Sequence, residues 1–218
     1  MSGAKRAPLR DNLNHFKTLK DMKTDIVLAG VGGQGILSIA TILGAAALKD
    51  NLHIKQAEVH GMSQRGGDVQ SNLRISSSPI SSDLIPMGGA DLVVSLEPME
   101  ALRYVQWLKP QGWIVTNTVP FVNIGNYPEA GTLDKELHAW PNTVAFDMDE
   151  MAKNVATARS SNMVLLGAAA PFIELETEKI EEGIRSVFAV KGEKIVESNI
   201  AAFRAGLEYT KALLESRK

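Results

Sequence analysis

Six residues, Gly30-Val31-Gly32-Gly33-Gln34-Gly35, fit the spacing G-x-G-x-x-G, and the apolar run just before them, Ile26-Val27-Leu28-Ala29, reads as a short buried strand. A helical pattern starts directly after them. In such a turn the glycines serve different ends. Gly30 permits the tight turn, Gly32 and Gly33 let backbone approach a ligand closely, and Gly35 lets helix and strand pack with no Cβ between them. The amides around Gln34 and the positive end of the helix then favour a phosphate or carboxylate. The plain alternative is a tight turn that binds nothing, although so many glycines exceed what turning requires.

A second group of polar residues sits in the loop His60-Gly61-Met62-Ser63-Gln64-Arg65-Gly66-Gly67. Arg65 is a planar donor that is always charged, His60 can titrate, Ser63 and Gln64 add neutral donors, and Gly61, Gly66 and Gly67 leave backbone exposed. That set suits an anion or a partner surface better than a plain surface turn. In a dinucleotide fold an acid roughly 20 residues after the glycine turn holds a ribose hydroxyl, and Glu58 stands at that place. The elaborate loop that follows Glu58 exceeds what a dinucleotide fold needs. No catalytic residue is assigned: His60 has no nucleophile and ordered acid in a recognisable arrangement. No metal ligand is assigned either, because His15, His53 and His138 lack ligand spacing. Asp147, Asp149 and Glu150 cluster where a helix starts, which fits compensation of its dipole.

The elements that must position these groups form an alternating α/β pattern. Strands are predicted at Ile26–Ala29, Ile54–Glu58, Val69–Ile75, Asp91–Leu96, Trp113–Asn117 and Thr143–Phe146. The first two, with the helix from Ile36 that should stop at Asn51, make a β-α-β unit with a right-handed crossover. Val69–Ile75 alternates apolar with Gln70, Asn72 and Arg74, as a strand with one wet face does. Further helices are expected at Pro98–Leu108, Asp147–Thr157, Asn162–Ala170, Thr177–Val187 and Ser198–Leu214. In the last, Ile200, Phe203, Leu207 and Leu214 form one apolar stripe for core packing. The fold class is therefore α/β, a Rossmann-like doubly wound, mostly parallel sheet with helices on both faces.

A chain of 218 residues, 44% of them hydrophobic, can bury a sizeable core as one domain. We divide it into a flexible N-terminal extension, 1–22, and a single α/β domain, 23–218. The net charge of -2 exerts no general pull toward nucleic acid or an acidic membrane, so neither is an expected partner. Cysteine is absent, so this chain holds no disulfide, thiol nucleophile or cysteine-ligated iron-sulfur cluster. The apolar stretch Met163–Phe172 is too short to cross a bilayer, and the N-terminus lacks a signal-peptide core, which points to the cytoplasm.

These segments together resemble a known family. The glycine turn continuing into Ile36-Leu37, the loop Glu58–Gly67, Ile85-Pro86-Met87-Gly88-Gly89-Ala90-Asp91, Leu96-Glu97-Pro98-Met99-Glu100-Ala101 and Asn162–Gly167 are similar to the gamma-type domain of 2-oxoacid:ferredoxin oxidoreductases, with the indolepyruvate-type members nearest. The resemblance runs from about Lys23 to the C-terminal helix. It implies oxidative decarboxylation of a 2-oxoacid with coenzyme A to an acyl-CoA and reduced ferredoxin, with thiamine diphosphate as the electron sink and iron-sulfur clusters as carriers. Gly67-Asp68-Val69 is a poor copy of the thiamine diphosphate motif and no Asn-Asn pair follows, so that cofactor and its magnesium belong on a larger partner subunit together with the clusters. What is left for this chain, inactive alone, is to complete the active-site cleft and hold part of coenzyme A, with the glycine turn and Arg65 as the candidate groups. Asn72 stands where relatives often carry histidine. A stand-alone NAD(P)-dependent dehydrogenase using Glu58, and a nucleotide-binding assembly module, remain the alternatives.

Overall fold

The computed structural model describes residues 22–60 and 66–217, with backbone alone at His60 and Ala130. Strand β1 (Lys23–Val31) shows how the sheet is built. Its residues alternate between two apolar layers: Ile26 and Leu28 enter one core, Val27 and Ala29 the other, all fully buried. A continuous apolar run is what a strand covered on both faces requires. Strands β4 (Ala90–Ser95), β5 (Leu108–Asn117) and β6 (Thr143–Phe146) repeat the pattern, with Leu92, Val94, Val115 and Val144 on the first face and Val93 and Ile114 on the second.

The first face is covered by α1 (Ile36–Lys49), α4 (Met148–Val155), α5 (Ser161–Ala169), α6 (Thr177–Phe188) and α7 (Glu193–Ser216). The second face is covered by α2 (Pro98–Arg103) and α3 (Ala130–His138). Helices α5 and α7 meet through glycine: a Cβ on Gly167 would stand 1.8 Å from the Phe203 carbonyl oxygen, and one on Gly206 2.0 Å from that of Val164. Among the described residues no helix is long and apolar enough to cross a membrane.

The sheet order is β2-β3-β1-β4-β5-β6, with β2 (His53–His60) at the edge and β3 (Asp68–Ser76) antiparallel to both of its neighbours. Strands β1, β4, β5 and β6 pair in parallel. The predicted β-α-β unit is present in direction but not in adjacency, because β3 returns between β1 and β2. The hairpin partner wins the place beside β1 through a nine-residue register from Lys23↔Ser76 to Val31↔Asp68. An inserted antiparallel strand cannot be read from periodicity, which reports faces and not neighbours.

Three other expectations change. The supposed wet face of β3 is covered: the Asn72 Oδ1 accepts from the Ile85 amide at 3.3 Å, and Arg74 donates to the Ser82 and Leu84 carbonyls at 3.0 Å each. Arg74 also forks onto Asp25, Nε to Oδ1 at 2.8 Å and Nη2 to Oδ2 at 3.0 Å. The helix predicted over Pro98–Leu108 ends at Arg103, and a 3-10 turn, Val105–Trp107, leads straight into β5. Pro110 biases Lys109 toward extended backbone, which limits helix on that side. Helix α3 gives little periodic signal, since Leu133 and Leu137 are its buried residues among those described. The C-terminal helix starts at Glu193, where Gly192 at φ 89° breaks the chain path from α6.

Candidate functional site

The C-terminal ends of β1, β4, β5 and β6 lie on one edge of the sheet, and the antiparallel β3 starts there, because Val31 pairs with Asp68. In open α/β sheets ligands bind outside this edge. The glycine turn occupies it. Gly33 and Gly35 have φ of 103° and 82°, a region open to glycine at little cost, and both are exposed.

The two predicted elements are brought together by backbone. The Gly32 amide donates to the Gly67 carbonyl at 2.8 Å, and the Gly66 amide donates back to the Gly32 carbonyl at 3.3 Å. Gly66 and Gly67 are thus part of the floor. Gly30, expected to permit the tight turn, is instead a buried residue of β1 paired with Val69, so the turn follows it at Gly33 and Gly35, and His60 closes β2 with its backbone paired to Val69 from the other side. Gly61, Ser63, Gln64 and Arg65, with the role expected of Arg65, lie outside the described residues.

Gln34 holds the turn rather than standing free. Its Oε1 accepts from the Val31 amide at 2.8 Å, and its Nε2 donates to the Leu96 carbonyl at 3.2 Å. With Gly32 bonded to Gly67 and the Gln34 amide bonded to Val31, the amides of Gly33 and Gly35, like those of Ile36 and Leu37 at the head of α1, have no acceptor among the described residues. Gly33 and Gly35 line a cavity of about 440 Å³ together with Gln34, Asp149, Arg159, Ser161 and Asn162.

That cavity is where two helix N-termini converge. Gly35 caps α1 without a side-chain bond, α5 begins at Ser161, and Asn162 Nδ2 donates to the Gly35 carbonyl at 3.2 Å. Ser161 Oγ donates to Asp149 Oδ1 at 2.5 Å, so the one carboxylate lining the cavity is engaged. Asp147 caps α4 by accepting from the Glu150 amide at 2.7 Å, which is the helix-start role predicted for that acidic cluster. Arg159 is exposed and has no ion-pair partner among the described residues. It also lines a second cavity of about 650 Å³, shared through Asn162 and bounded by Phe188, Lys191 and Ile195. The combination suits an extended anionic ligand with an apolar portion. Sequence reading did not single out Arg159. A basic residue followed by Ser-Ser-Asn at the head of an apolar helix was the available signal.

On the other side of the glycine turn lies a buried polar network. Glu97 is fully buried; its Oε2 accepts from the Glu100 amide at 2.8 Å, and its Oε1 accepts from the Phe121 amide at 3.3 Å and from the Tyr127 hydroxyl. Tyr104 donates to both oxygens of Asp68, at 3.1 and 3.3 Å. Arg103 forks onto Glu100 at 2.9 and 3.2 Å. Burial pushes the carboxyl of Glu100 and the hydroxyls of Tyr104 and Tyr127 above their ordinary values. Asp68, the residue left of the thiamine-type motif, is held by Tyr104, and no group of three His, Cys, Asp or Glu side chains placed for a metal occurs among the described residues.

Glu58 stands on β2, separated from β1 by β3, and Gln56 Nε2 donates to it at 2.5 Å. In a dinucleotide fold the acid follows a strand paired directly with the first, so the topology works against the ribose role.

Residues 25–209 match the family described as pyruvate ferredoxin/flavodoxin oxidoreductase. The chain belongs to that family. It is 36% identical over 200 residues to the indolepyruvate oxidoreductase subunit IorB of Thermococcus kodakarensis, covering 87% of this chain and 97% of that one. It is 27% identical over 192 residues to the ketoisovalerate oxidoreductase subunit VorA of Methanothermobacter thermautotrophicus, where the match is 87% of this chain but only 37% of the relative. Among solved structures, the 2-oxoglutarate:ferredoxin oxidoreductase of Magnetococcus marinus, with 2-oxoglutarate, coenzyme A and succinyl-CoA bound, superposes with a TM-score of 0.69 at 23% identity, over 88% of this chain and 32% of that one. The likeness shows that the fold is that of this oxidoreductase family. Like these pyruvate-oxidoreductase-family relatives, the chain is a subunit of a 2-oxoacid oxidoreductase.

Proposed function

We propose that this chain is the small subunit of a cytoplasmic indolepyruvate or arylpyruvate:ferredoxin oxidoreductase, and that it completes the active-site cleft by holding the anionic part of coenzyme A. The observation that carries this reading is the cavity lined by Gly33, Gly35, the first residues of α5 and Arg159, which has no ion-pair partner among the described residues. Neutral N–H donors and one guanidinium hold a phosphate without a metal. The neighbouring cavity, with Phe188, Ile195 and Lys191, has room for the remainder of a nucleotide.

Thiamine diphosphate, magnesium and the iron-sulfur clusters belong to the larger subunit, where they supply the electron sink and the path to ferredoxin. This chain, with no cysteine, contributes binding and orientation. Gln34 keeps the turn open by holding the Val31 amide and the Leu96 carbonyl, and the Gly32–Gly67 pair fixes the predicted anion loop against that turn. Arg65 adds its guanidinium from the same loop in this reading.

Co-expression with the larger subunit tests the proposal. We expect 2-oxoacid-dependent and coenzyme A-dependent dye reduction only when both chains are present. Equal turnover by the larger subunit alone would remove this chain from the reaction.

A further inference from the structure

Between β5 and α3 the chain runs through residues 118–129 with no helix or strand. Long irregular connections inside a compact fold are uncommon, and they concentrate function. This one is anchored from below. Glu97 Oε1 accepts from the Phe121 amide at 3.3 Å and from the Tyr127 hydroxyl, the Thr118 amide donates to the Phe146 carbonyl at 3.1 Å, and Asn123 Nδ2 donates to the Gly66 carbonyl at 2.6 Å.

Those anchors face inward while the apolar side chains face out: Phe121, Val122 and Ile124 are 44%, 69% and 43% exposed. Burying a carboxylate is costly unless hydrogen bonds compensate it, and Glu97 has no cation partner among the described residues. Two of the groups that satisfy it belong to this loop. The buried carboxyl of Glu97 therefore serves to fix a loop whose own apolar residues stand partly or largely exposed among the described residues.

We propose that the 118–129 loop is a preformed docking element for an apolar recess on the larger subunit of the oxidoreductase, with Glu97 as the residue that presents it. This rests on the subunit reading above. Two observations select that occupant. The loop shares the C-terminal edge of the sheet with the glycine turn and is tied to it through Gly66, so a cleft shared by two chains at that edge brings the loop to their junction. In VorA the matching stretch is 37% of one longer chain, whereas IorB is matched over 97% of its length. A surface that the longer VorA chain can cover from its own polypeptide is left, in a chain of IorB length, for a separate polypeptide to cover.

The test measures association of the full-length chain with the larger subunit by calorimetry, for the wild type, for Val122→Glu/Ile124→Glu, and for Leu48→Glu. Leu48 is 64% exposed near the end of α1, at the opposite edge of the sheet, and serves as the control. All three should melt alike, since the altered side chains are exposed. We expect the loop variant to bind at least tenfold more weakly and the Leu48 variant within twofold of wild type. A loop variant that binds as tightly as wild type overturns the docking element and leaves the subunit reading intact. A wild-type chain that does not bind the larger subunit at all overturns the subunit reading itself. Loss of self-association by the isolated chain in the loop variant, with subunit binding unchanged, assigns the loop to a second copy and also overturns the proposal.

Discussion

Asn162 Nδ2 lies 3.2 Å from the Gly35 carbonyl oxygen and donates to it, joining the first turn of α5 to the cap of α1 across a gap of 127 residues in sequence. The bond fixes the angle at which two helix N-termini point into one cavity. A Cβ at Gly35 would stand 3.1 Å from the same nitrogen, so neither position has slack. Asn162→Ala should cost about 1 kcal/mol of stability, the net worth of one hydrogen bond. It should also raise the KM for coenzyme A in the assembled enzyme while leaving the KM for the 2-oxoacid unchanged. Steady-state kinetics on the complex, beside a urea melt of the chain, separates the two effects.

The Asp25–Arg74 pair gives a prediction about folding. Asp25 is buried between β1 and β3, and Arg74 spans its carboxylate and two backbone carbonyls of the covering segment. Lys23, at 3.1 Å from Asp25, is half exposed and is a weaker partner. Arg74→Met leaves a buried carboxylate with too few donors and should destabilise by about 3–5 kcal/mol. Arg74→Lys should recover only part of that, because an ammonium cannot reproduce the fork. Urea midpoints of the three proteins check the order.

Gly206 and Gly167 set how closely α7 approaches α5. An added methyl at Gly206 meets the Val164 carbonyl at 2.0 Å, and backbone cannot step aside as a flexible side chain can. Gly206→Ala should therefore destabilise by about 1–3 kcal/mol, against the mild gain that alanine usually gives a helix interior. A thermal melt decides the sign.

Glu100 predicts a pH dependence. Burial raises its carboxyl above the ordinary 4.5, the Arg103 guanidinium opposes the rise, and Asp68 adds to it. The folded chain thus holds this proton more tightly than the unfolded chain does. Its contribution to stability is complete below pH 4.5 and is lost as pH rises through the higher folded value. Relative to Glu100→Gln, which does not ionise, the wild type should lose stability as pH is raised from about 4.5 toward neutrality. Paired melts across that range give the slope; a constant difference contradicts the assignment.

Much of this arrangement is legible in the residues. The glycine turn lies between a strand and a helix as its spacing requires, and the unbroken apolar run Ile26 to Ala29 correctly reports a strand covered on both faces. The insertion of β3 is not legible, because strand order depends on contacts far apart in sequence. Asn72 and Arg74 looked solvent-facing for the same reason: what covers them is the segment near Leu84 and Ile85, joined only in the fold. By position Gln34 falls among the ligand-binding residues, yet its side chain bonds within the turn and to Leu96. Arg159 carries only the weak signal of a basic residue ahead of Ser-Ser-Asn at a helix start, and its importance arises only when α5 is set against α1.

The central claim is that the cavity between these two helix ends holds the anionic portion of coenzyme A. Its most direct test is the dissociation constant of coenzyme A for the assembled two-subunit enzyme, measured by calorimetry with wild type and with Arg159→Ala. A charge-assisted bond in a closed cleft is worth about 1.5–3 kcal/mol, so affinity should fall about tenfold or more while 2-oxoacid binding holds. Coenzyme A binding of equal strength in both proteins would contradict the account.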